Sequence, residues 1–466
     1  MLSPGCPRSG RKIAQGIFGV QPKARYTRSS MSRMSNADSK PSHLKHLIVL
    51  VVACALVFVA VFAFVPHIFS STYTSPLVVA KDAGVSNELL PEPLKQPLVA
   101  HLDTPDAVKA IYMSQCVSGT PSFRDKLVAL IDETELNTVI IDIKDFTGKL
   151  AFTPDDPDLV SSVSDDCGAR DMKSFIETLH EKNIYVVGRI TVFQDPYYSN
   201  LHPELAVRRA SDGAVWKDHK GLSFIDVGAK AYWKYIVAIS QAAYAIGFDE
   251  LNYDYVRYPS DGDMKDIAFT LSEGKPKYEK LEEFFSYLHS ELSEPFGDFD
   301  TTPKLSVDLF GYTTTNKDDL GIGQVLERAL PYFDYVMPMV YPSHYNSGFI
   351  NITKPATEPY KVIKYSMDEA VRRAGMMATS VTSTATSTDV AYLRDQASKG
   401  RGHIEASQLR PWLQDFDLGA TYTPEMVRAQ MQATYDAGLD SWALWDAGNT
   451  YTRAALESEP PTPARE

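Results

Sequence analysis

Short apolar runs alternate with longer amphipathic stretches along most of the chain after residue 107. The short runs have the composition of buried strands, and the longer stretches repeat apolar residues at three- and four-residue spacing, as helices do. Alternation on this scale predicts βα units around a parallel sheet, and eight such units predict a closed α/β barrel of the (β/α)8 type. The predicted strands are 110–114, 137–144, 184–191, one within 247–262, 304–310, 335–341, 408–412 and 441–445; the predicted helices are 122–135, 171–182, 230–246, 277–292, 322–330, 361–373 and 424–437.

The segment 247–262, GFDELNYDYVRYPSDG, combines aromatic with acidic residues and contains the fourth predicted strand. Alternate residues of a strand point to the same side, so Glu250, Asn252 and Asp254 share one face. Asp254 ends this strand, and a carboxylate at the C-terminal tip of an inward face is typical of a barrel active site. An edge strand whose charges face water is the alternative.

Polar and aromatic side chains also gather at the C-terminal ends of the other predicted strands. In a (β/α)8 barrel these ends meet at one rim. Aromatic rings there can stack on sugar rings, and carboxylate and amide groups can hydrogen-bond sugar hydroxyls. The candidate substrate-binding residues are Lys144, Glu250, Asn252, Arg257, Tyr341, His344, Arg410, Trp412, Gln414, Asp415 and Trp445.

Cleavage of a glycosidic bond requires two carboxyl groups, one to protonate the leaving oxygen and one to attack the anomeric carbon or activate water. Asp254 and Asp308 lie on neighbouring predicted strands at similar depth and form the first candidate catalytic pair, with Asp142 in reserve. Arg257 or Lys144 would keep a neighbouring carboxylate ionised, and aromatic surroundings would raise the pKa of the acid. The structural alternatives are an ion pair between Asp308 and an arginine, an Asp142–Lys144 salt bridge, and core packing of Trp412 and Trp445.

The N-terminal part of the chain differs sharply from the rest. Residues 1–46 hold nine Lys and Arg against one Asp, a charge of +8, and predict a disordered cytoplasmic tail. Residues 47–65, LIVLVVACALVFVAVFAFV, are an uncharged apolar run long enough to cross most of a bilayer as a helix. The basic flank orients this run, and no small-residue cleavage site follows closely. We therefore expect a single-pass anchor in the cell membrane with the barrel outside the cell.

The remainder of the chain carries a charge of −21, since the whole chain has −13. This acidity argues against nucleic acid and anionic polymers as main partners. Residues 66–106 predict an extracellular linker, 107–457 the barrel, 375–402 a mobile insertion within it, and 458–466 a disordered tail. Cys116 and Cys167 can pair if the barrel is extracellular, and two buried free thiols are an alternative of at least equal weight. No spacing resembles a metal site, and we expect neither a metal nor a cofactor.

Six motifs together resemble a bacterial family of barrels known as the putative glycosyl hydrolase domain. They are VIIDIKDFTG (139–148), GFDELNYDYVRYPSDG (247–262), LSVDLFGY (305–312), YVMPMVYPSHY (335–345), LRPWLQDF (409–416) and WALWDAGNTY (442–451). The resemblance covers about residues 107–457. It implies a (β/α)8 barrel distantly similar to carbohydrate hydrolases, often on secreted or membrane-anchored proteins, with Asp142, Asp254 and Asp308 as candidate catalytic residues. Segment 375–402 departs from the family pattern.

These observations lead to a membrane-anchored glycoside hydrolase that acts on a cell-envelope or exported polysaccharide by a two-carboxylate mechanism. A non-catalytic glycan-binding barrel on the cell surface is the alternative, in which sugar binding depends on Trp412 or Trp445. A transglycosylase that uses the same site is a third hypothesis, because transfer differs from hydrolysis only in what replaces water.

Overall fold

A computed structural model describes residues 99–381 and 388–458. The predicted cytoplasmic tail, the apolar run 47–65 and residues 66–98 of the predicted linker lie outside the described residues, as do 459–466. In the part of the chain that the structure describes, no helix is both long and apolar enough to cross a membrane.

Eight parallel strands form a closed barrel in chain order, β1 to β8, with β1 paired to β8. This confirms the predicted barrel, and it excludes the edge-strand alternative because the fourth strand pairs with a neighbour on each side. The second and third strands are buried along their whole length, as expected where helices cover a parallel sheet. The strands are β1 (Lys109–Met113), β2 (Thr138–Lys144), β3 (Tyr185–Thr191), β4 (Glu250–Asp254), β5 (Lys304–Phe310), β6 (Tyr335–Met339), β7 (Trp412–Gln414) and β8 (Trp442–Trp445).

Helices follow the strands and cover the outside of the barrel, where most of the apolar core lies. Their amphipathic sequences place apolar residues against the strands. The helices are α1 (Gln115–Ser118), α2 (Pro121–Asp132), α3 (Met172–Glu181), α4 (Pro196–Leu201), α5 (Lys230–Ala245), α6 (Lys277–Leu292), α7 (Leu326–Ala329), α8 (Pro359–Ser380), α9 (Thr388–Ala397) and α10 (Pro424–Asp436).

The segment 375–402 differs from its prediction. The helix predicted at 361–373 continues as α8 to Ser380, and α9 follows at Thr388–Ala397. Arg373 holds α8 in place, because its guanidinium pairs with Glu327 and donates to the backbone carbonyl oxygens of Thr313, Thr314 and Asn316. Segment 375–402 has too few apolar residues to show a helical period, and tertiary contacts stabilise its helices instead.

A second difference concerns the seventh strand, predicted at 408–412. Residues Ala406–Gln408 form a short 3-10 helix, and β7 begins only at Trp412. Pro411 directly precedes the strand and lacks the amide hydrogen that a strand ladder uses.

A small cluster of side chains fills the lower part of the barrel lumen. Its apolar members come from several strands and include Ala110, Ile140, Val187 and Met337. A fully buried ion pair crosses the lumen beside them, in which Arg410 Nη1 lies 2.9 Å from Glu250 Oε1. Glu250 begins β4 and Arg410 lies two residues before β7, and these strands are not neighbours, so the pair links different sides of the barrel.

A disulfide joins Cys116 of α1 to Cys167, with 4.4 Å between the two Cα atoms. The backbone is tight beside it, because a Cβ added to Gly119 would lie 2.3 Å from the carbonyl oxygen of Gly168. Gly168 itself has a φ of +99°, a conformation that favours glycine. The bond ties the segment after β1 to the loop that follows β2.

Candidate active site

Arg189 of β3 is the centre of an ionic cluster at the C-terminal end of the barrel. Register places Arg189 opposite Asp142 of β2 and Asn252 of β4, so its side chain points into the lumen. Arg189 Nη1 lies 2.5 Å from Asp142 Oδ1, Nη2 contacts Asp254, and Nε lies 3.5 Å from Asp308 Oδ2. One guanidinium thus holds the side chains of all three candidate catalytic aspartates.

Asp308 is the most perturbed carboxyl group of this cluster. Burial raises its pKa to about 8, and the negative charge of Asp254 adds to the effect. Trp412 Nε1 and Asn252 Nδ2 donate to Asp308 Oδ1 at 2.7 and 3.0 Å, and both bonds favour the ionised form. Burial prevails, so Asp308 is largely protonated at neutral pH.

Because two N–H groups donate to Oδ1, the proton of neutral Asp308 belongs on Oδ2. Oδ2 faces Arg189 Nε, which makes no hydrogen bond among the described residues. A carboxylic acid whose one oxygen is held by donors and whose other oxygen carries the proton is poised as a general acid.

Asp142 and Asp254 have contacts of a different kind. Burial raises the pKa of Asp142 to about 6, although the positive charge of Arg189 and the hydroxyl of Tyr112 lower it. Tyr112 of β1 donates to Asp142 Oδ2. Asp254 Oδ1 accepts the backbone amide of Tyr255 at 2.5 Å, while its Oδ2 faces Arg189. Both aspartates therefore have the donors that an ionised carboxylate needs.

A cleft of about 440 Å³ opens above Asp254 and Asp308. Its walls are mainly aromatic, as expected for a site that binds sugar rings. Tyr255 turns the chain away from β4 with a φ of +53°, and such a strained non-glycine conformation is typical of functional sites. The lining residues are Arg189, Asp254, Tyr255, Arg257, Asp308, Phe310, Gly311, Tyr312, Met339, Tyr341, His344, Tyr345, Trp412 and Trp445.

A larger groove of about 880 Å³ lies on the outside of the barrel, among the helices α5, α6, α7 and α9. Several of its charged residues pair with one another, such as Arg328 with Glu282 and Lys280 with Glu283. It is more open than the cleft and lies away from the strand ends, so we assign the chemistry to the cleft.

The structure brings together seven of the predicted site residues as cleft lining: Asp254, Arg257, Asp308, Tyr341, His344, Trp412 and Trp445. Asp142 and Asn252 lie just below, where they contact Arg189 and Asp308. Trp412 is almost fully buried and reaches the cleft mainly through its indole edge, whereas Trp445 is partly exposed and stacks on Tyr112 with ring centroids 4.0 Å apart.

The remaining predicted residues lie elsewhere. Glu250 and Arg410 form the buried pair lower in the lumen. Gln414 Oε1 accepts the backbone amide of Ser343, and its Nε2 donates to the carbonyl oxygens of Phe416 and Leu418. Asp415 accepts both the backbone amide and the hydroxyl of Thr452. These groups support the barrel and its rim, and none of them lines the cleft.

Lys144 departs furthest from its predicted place. An irregularity in the β2–β3 register pairs Asp142 with Arg189 but Lys144 with Ile190, so Lys144 turns toward the helices. Its ammonium group is fully buried, 2.9 Å from Asp195 Oδ2, and donates to the carbonyl oxygen of Thr191. The Asp142–Lys144 salt bridge is therefore absent, and each residue has its own partner.

Sequence reasoning placed Arg189 near the end of the third strand but gave it no role in the site, and it missed Tyr112. Both have the parity of inward-facing residues, since Arg189 follows Tyr185 and Val187 at two-residue spacing, and that signal could have identified them. Phe310 is the last residue of β5 and has the inward parity of Asp308, so the same signal could have identified it. Tyr255 and Tyr312 follow strand ends, where a turn decides their direction and strand parity gives no information. No group of three or more His, Cys, Asp or Glu residues suited to a metal ion occurs in residues 99–381 and 388–458.

The family model described as "Putative glycosyl hydrolase domain" matches residues 110–451, nearly all of the barrel. The chain belongs to this family. Family membership confirms the resemblance inferred from the motifs and makes the protein a glycosidase-type enzyme. Comparison with curated proteins finds no match.

Comparison with solved structures gives matches of low similarity. A hypothetical protein from Ruminiclostridium thermocellum is 29% identical over 45% of this chain and 98% of its own, with a TM-score of 0.37. The PgaB (BpsB) glycoside hydrolase domain from Bordetella bronchiseptica is 13% identical over 74% of this chain and 94% of its own, with a TM-score of 0.50. An α-galactosidase from Thermus thermophilus is 11% identical over 74% of this chain and 59% of its own, with a TM-score of 0.43. The likeness to the Bordetella bronchiseptica domain concerns the fold alone.

Proposed function

We propose that this protein is a glycoside hydrolase in which Asp308 is the general acid and Asp254 is the second carboxyl group. The observation that carries the proposal is the division of charge at the cleft: burial keeps Asp308 protonated, while Asp254 receives donors from Arg189 and a backbone amide. Two like groups with different environments are the usual basis of acid and base roles at one site.

In this mechanism Asp308 gives the proton on Oδ2 to the glycosidic oxygen, and the bond between that oxygen and the anomeric carbon breaks. Asp254 either attacks the anomeric carbon or removes a proton from an attacking water. Arg189 joins the two carboxyl groups and orients them, and Asp142 completes the cluster by holding the opposite edge of the guanidinium. Aromatic walls bind the sugar rings and exclude water from the reacting atoms.

We also propose a polysaccharide of the cell envelope, or one exported from the cell, as the substrate, with the barrel outside the cell and residues 47–65 as the anchor. The apolar run and its basic flank support this location. The disulfide between Cys116 and Cys167 supports it independently, since such bonds persist in oxidising compartments.

A second candidate function is non-catalytic glycan binding, and one specific observation favours it. All three aspartates contact one buried arginine, an arrangement that can serve structure alone. A transglycosylase would use the same residues with a sugar hydroxyl in place of water.

The deciding experiment measures the release of reducing ends from envelope and exported polysaccharides by the full-length protein and by Asp254→Asn and Asp308→Asn. We expect release by the wild type and a loss of at least a hundredfold in each variant, because general acid–base groups contribute about that much or more. Asp417→Asn is the matched control, since Asp417 follows β7 at the same barrel end and does not line the cleft, and asparagine can still accept the backbone amide of Tyr422.

Saturable glycan binding without release, unchanged by Asp254→Asn, would refute hydrolysis and favour the binding function. Longer products without new reducing ends would identify transfer. Wild-type activity in both Asp254→Asn and Asp308→Asn would exclude this pair.

A further inference from the structure

Arg257 is a cleft cation that none of the catalytic contacts uses. It follows Asp254 by three residues and lines the cleft. Its Nη1 donates to the backbone carbonyl oxygen of Tyr258 at 3.1 Å and to Ser260 Oγ at 3.2 Å. Among the described residues, no carboxylate oxygen lies within 4.0 Å of its guanidinium, whereas Arg189 and Arg410 both have carboxylate partners.

Aromatic rings surround this guanidinium and remove it from water. Its central carbon lies 4.9 Å from the ring centroid of Tyr255, 5.0 Å from that of Phe310 and 5.8 Å from that of Phe224. Burial accordingly lowers the pKa of Arg257 from its usual value, although the group stays charged. A partly desolvated cation without a direct counterion is an unfavourable arrangement that a bound anion would relieve.

The acids nearest to Arg257 do not provide that counterion. Asp254 contacts Arg189, Asp218 Oδ1 accepts the backbone amides of Lys220 and Leu222, and Asp261 lies 3.6 Å from His219. They stabilise the positive charge from a distance and leave the guanidinium edge itself available.

We propose that Arg257 binds the carboxylate of an acidic sugar residue, so that the substrate is a glycan containing uronic acid. A carboxylate matches the planar fork of a guanidinium, and Tyr255 and Phe310 offer faces for the sugar ring that carries it. The acidic body repels a dense polyanion. The preferred substrate is therefore a mixed polymer in which acidic residues lie among neutral ones. This inference rests on the proposed function, because that function places the substrate in the cleft that Arg257 lines, but it concerns the binding of the substrate and not its cleavage.

The test is a binding measurement by calorimetry on the full-length protein. The probes are an exopolysaccharide with a single glucuronic acid in each repeating unit and the same polymer after reduction of its carboxyl groups to alcohols. We expect the wild type to bind the acidic polymer about tenfold more tightly, as one charge-assisted contact allows. Arg257→Gln should abolish this preference, and Arg257→Lys should retain part of it.

Arg208→Gln is the matched control, because Arg208 also donates to a backbone carbonyl, that of Gly213, but does not line the cleft. It should retain the full preference. Equal affinity for the two polymers, no binding to either, or a preference that survives in Arg257→Gln would overturn the inference. Tighter binding of a sulfated polymer than of the uronic acid polymer would overturn the choice of a carboxylate.

Binding and catalysis are separable in this design. Retained preference for the acidic polymer without any release of reducing ends would contradict hydrolysis and leave the role of Arg257 intact. Release from neutral glycans alone would support hydrolysis and reject the acidic substrate.

Discussion

Replacement of Asp308 by asparagine should change how stability depends on pH. In the folded protein the pKa of Asp308 is about 8, against a usual value of 3.8. Between these values the folded state binds a proton that the unfolded state does not bind. The contribution of Asp308 to stability is therefore highest below about pH 4, falls as the pH rises, and levels off above about pH 8.

The slope of the free energy of unfolding against pH follows from the one proton that the folded state binds and the unfolded state does not. A difference of one proton between the two states changes the free energy of unfolding by roughly 1.4 kcal/mol for each pH unit. Asparagine has the size of aspartate and can still accept hydrogen bonds at its carbonyl oxygen from Trp412 and Asn252. Asp308→Asn should therefore gain stability relative to the wild type by roughly 3 kcal/mol between about pH 5 and about pH 7.5.

The assay is urea unfolding of both proteins at several pH values across this range, followed by tryptophan fluorescence. The difference between the two free energies removes the contribution of groups outside the Arg189 cluster, which titrate alike in both proteins. A difference that does not vary with pH would show that Asp308 is ionised at neutral pH. The proposed general acid would then be wrong, whatever the activity measurements gave.

Three further predictions use other contacts of the barrel. Trp412→Phe removes a hydrogen-bond donor that favours ionised Asp308, so the pKa of Asp308 should rise above about 8. In the same urea unfolding series, the free energy of unfolding should then continue to fall with pH beyond the pH at which it levels off in the wild type. Levelling off at the same pH in both proteins would contradict this. Double replacement of Cys116 and Cys167 by serine should lower the free energy of unfolding by about 4 kcal/mol, because the bond closes a loop of 51 residues. Lys144→Met and Asp195→Asn should each lower the free energy of unfolding by about 3 to 5 kcal/mol, since each leaves one buried partner unpaired. The double variant should lose clearly less than the sum of the two single losses. Additive losses would refute the pairing.

The barrel and two of its key carboxylates were predictable because strand alternation and βα succession are local patterns. Parity alone placed Asp254 and Asp308 on the inner face, and the closed sheet then brought them together. Lys144 shows the limit of this reasoning, since one extra residue in β2 reverses the direction of the side chain without any mark in the sequence.

The contact of Arg189 with all three aspartates was not predictable, for a different reason. The sequence indicates that β3 carries an arginine, but its contacts depend on residues from β2, β4 and β5, which only the register brings together. The extension of α8 likewise depends on Arg373 and its distant partners, and no helical signal in residues 374–380 reveals it.

The buried pair of Glu250 and Arg410 also determines how a polymer can reach the catalytic carboxyl groups. The pair and the apolar residues around it fill the lumen below Asp308. The segment before β1 covers that end of the barrel, where the backbone amide of Leu102 donates to Asp249 and the hydroxyl of Thr104 contacts that of Tyr185. A sugar chain cannot thread through the barrel. In the proposed hydrolysis the chain would lie across the rim, and the length of the product would depend on how far the chain extends to either side of the cleft.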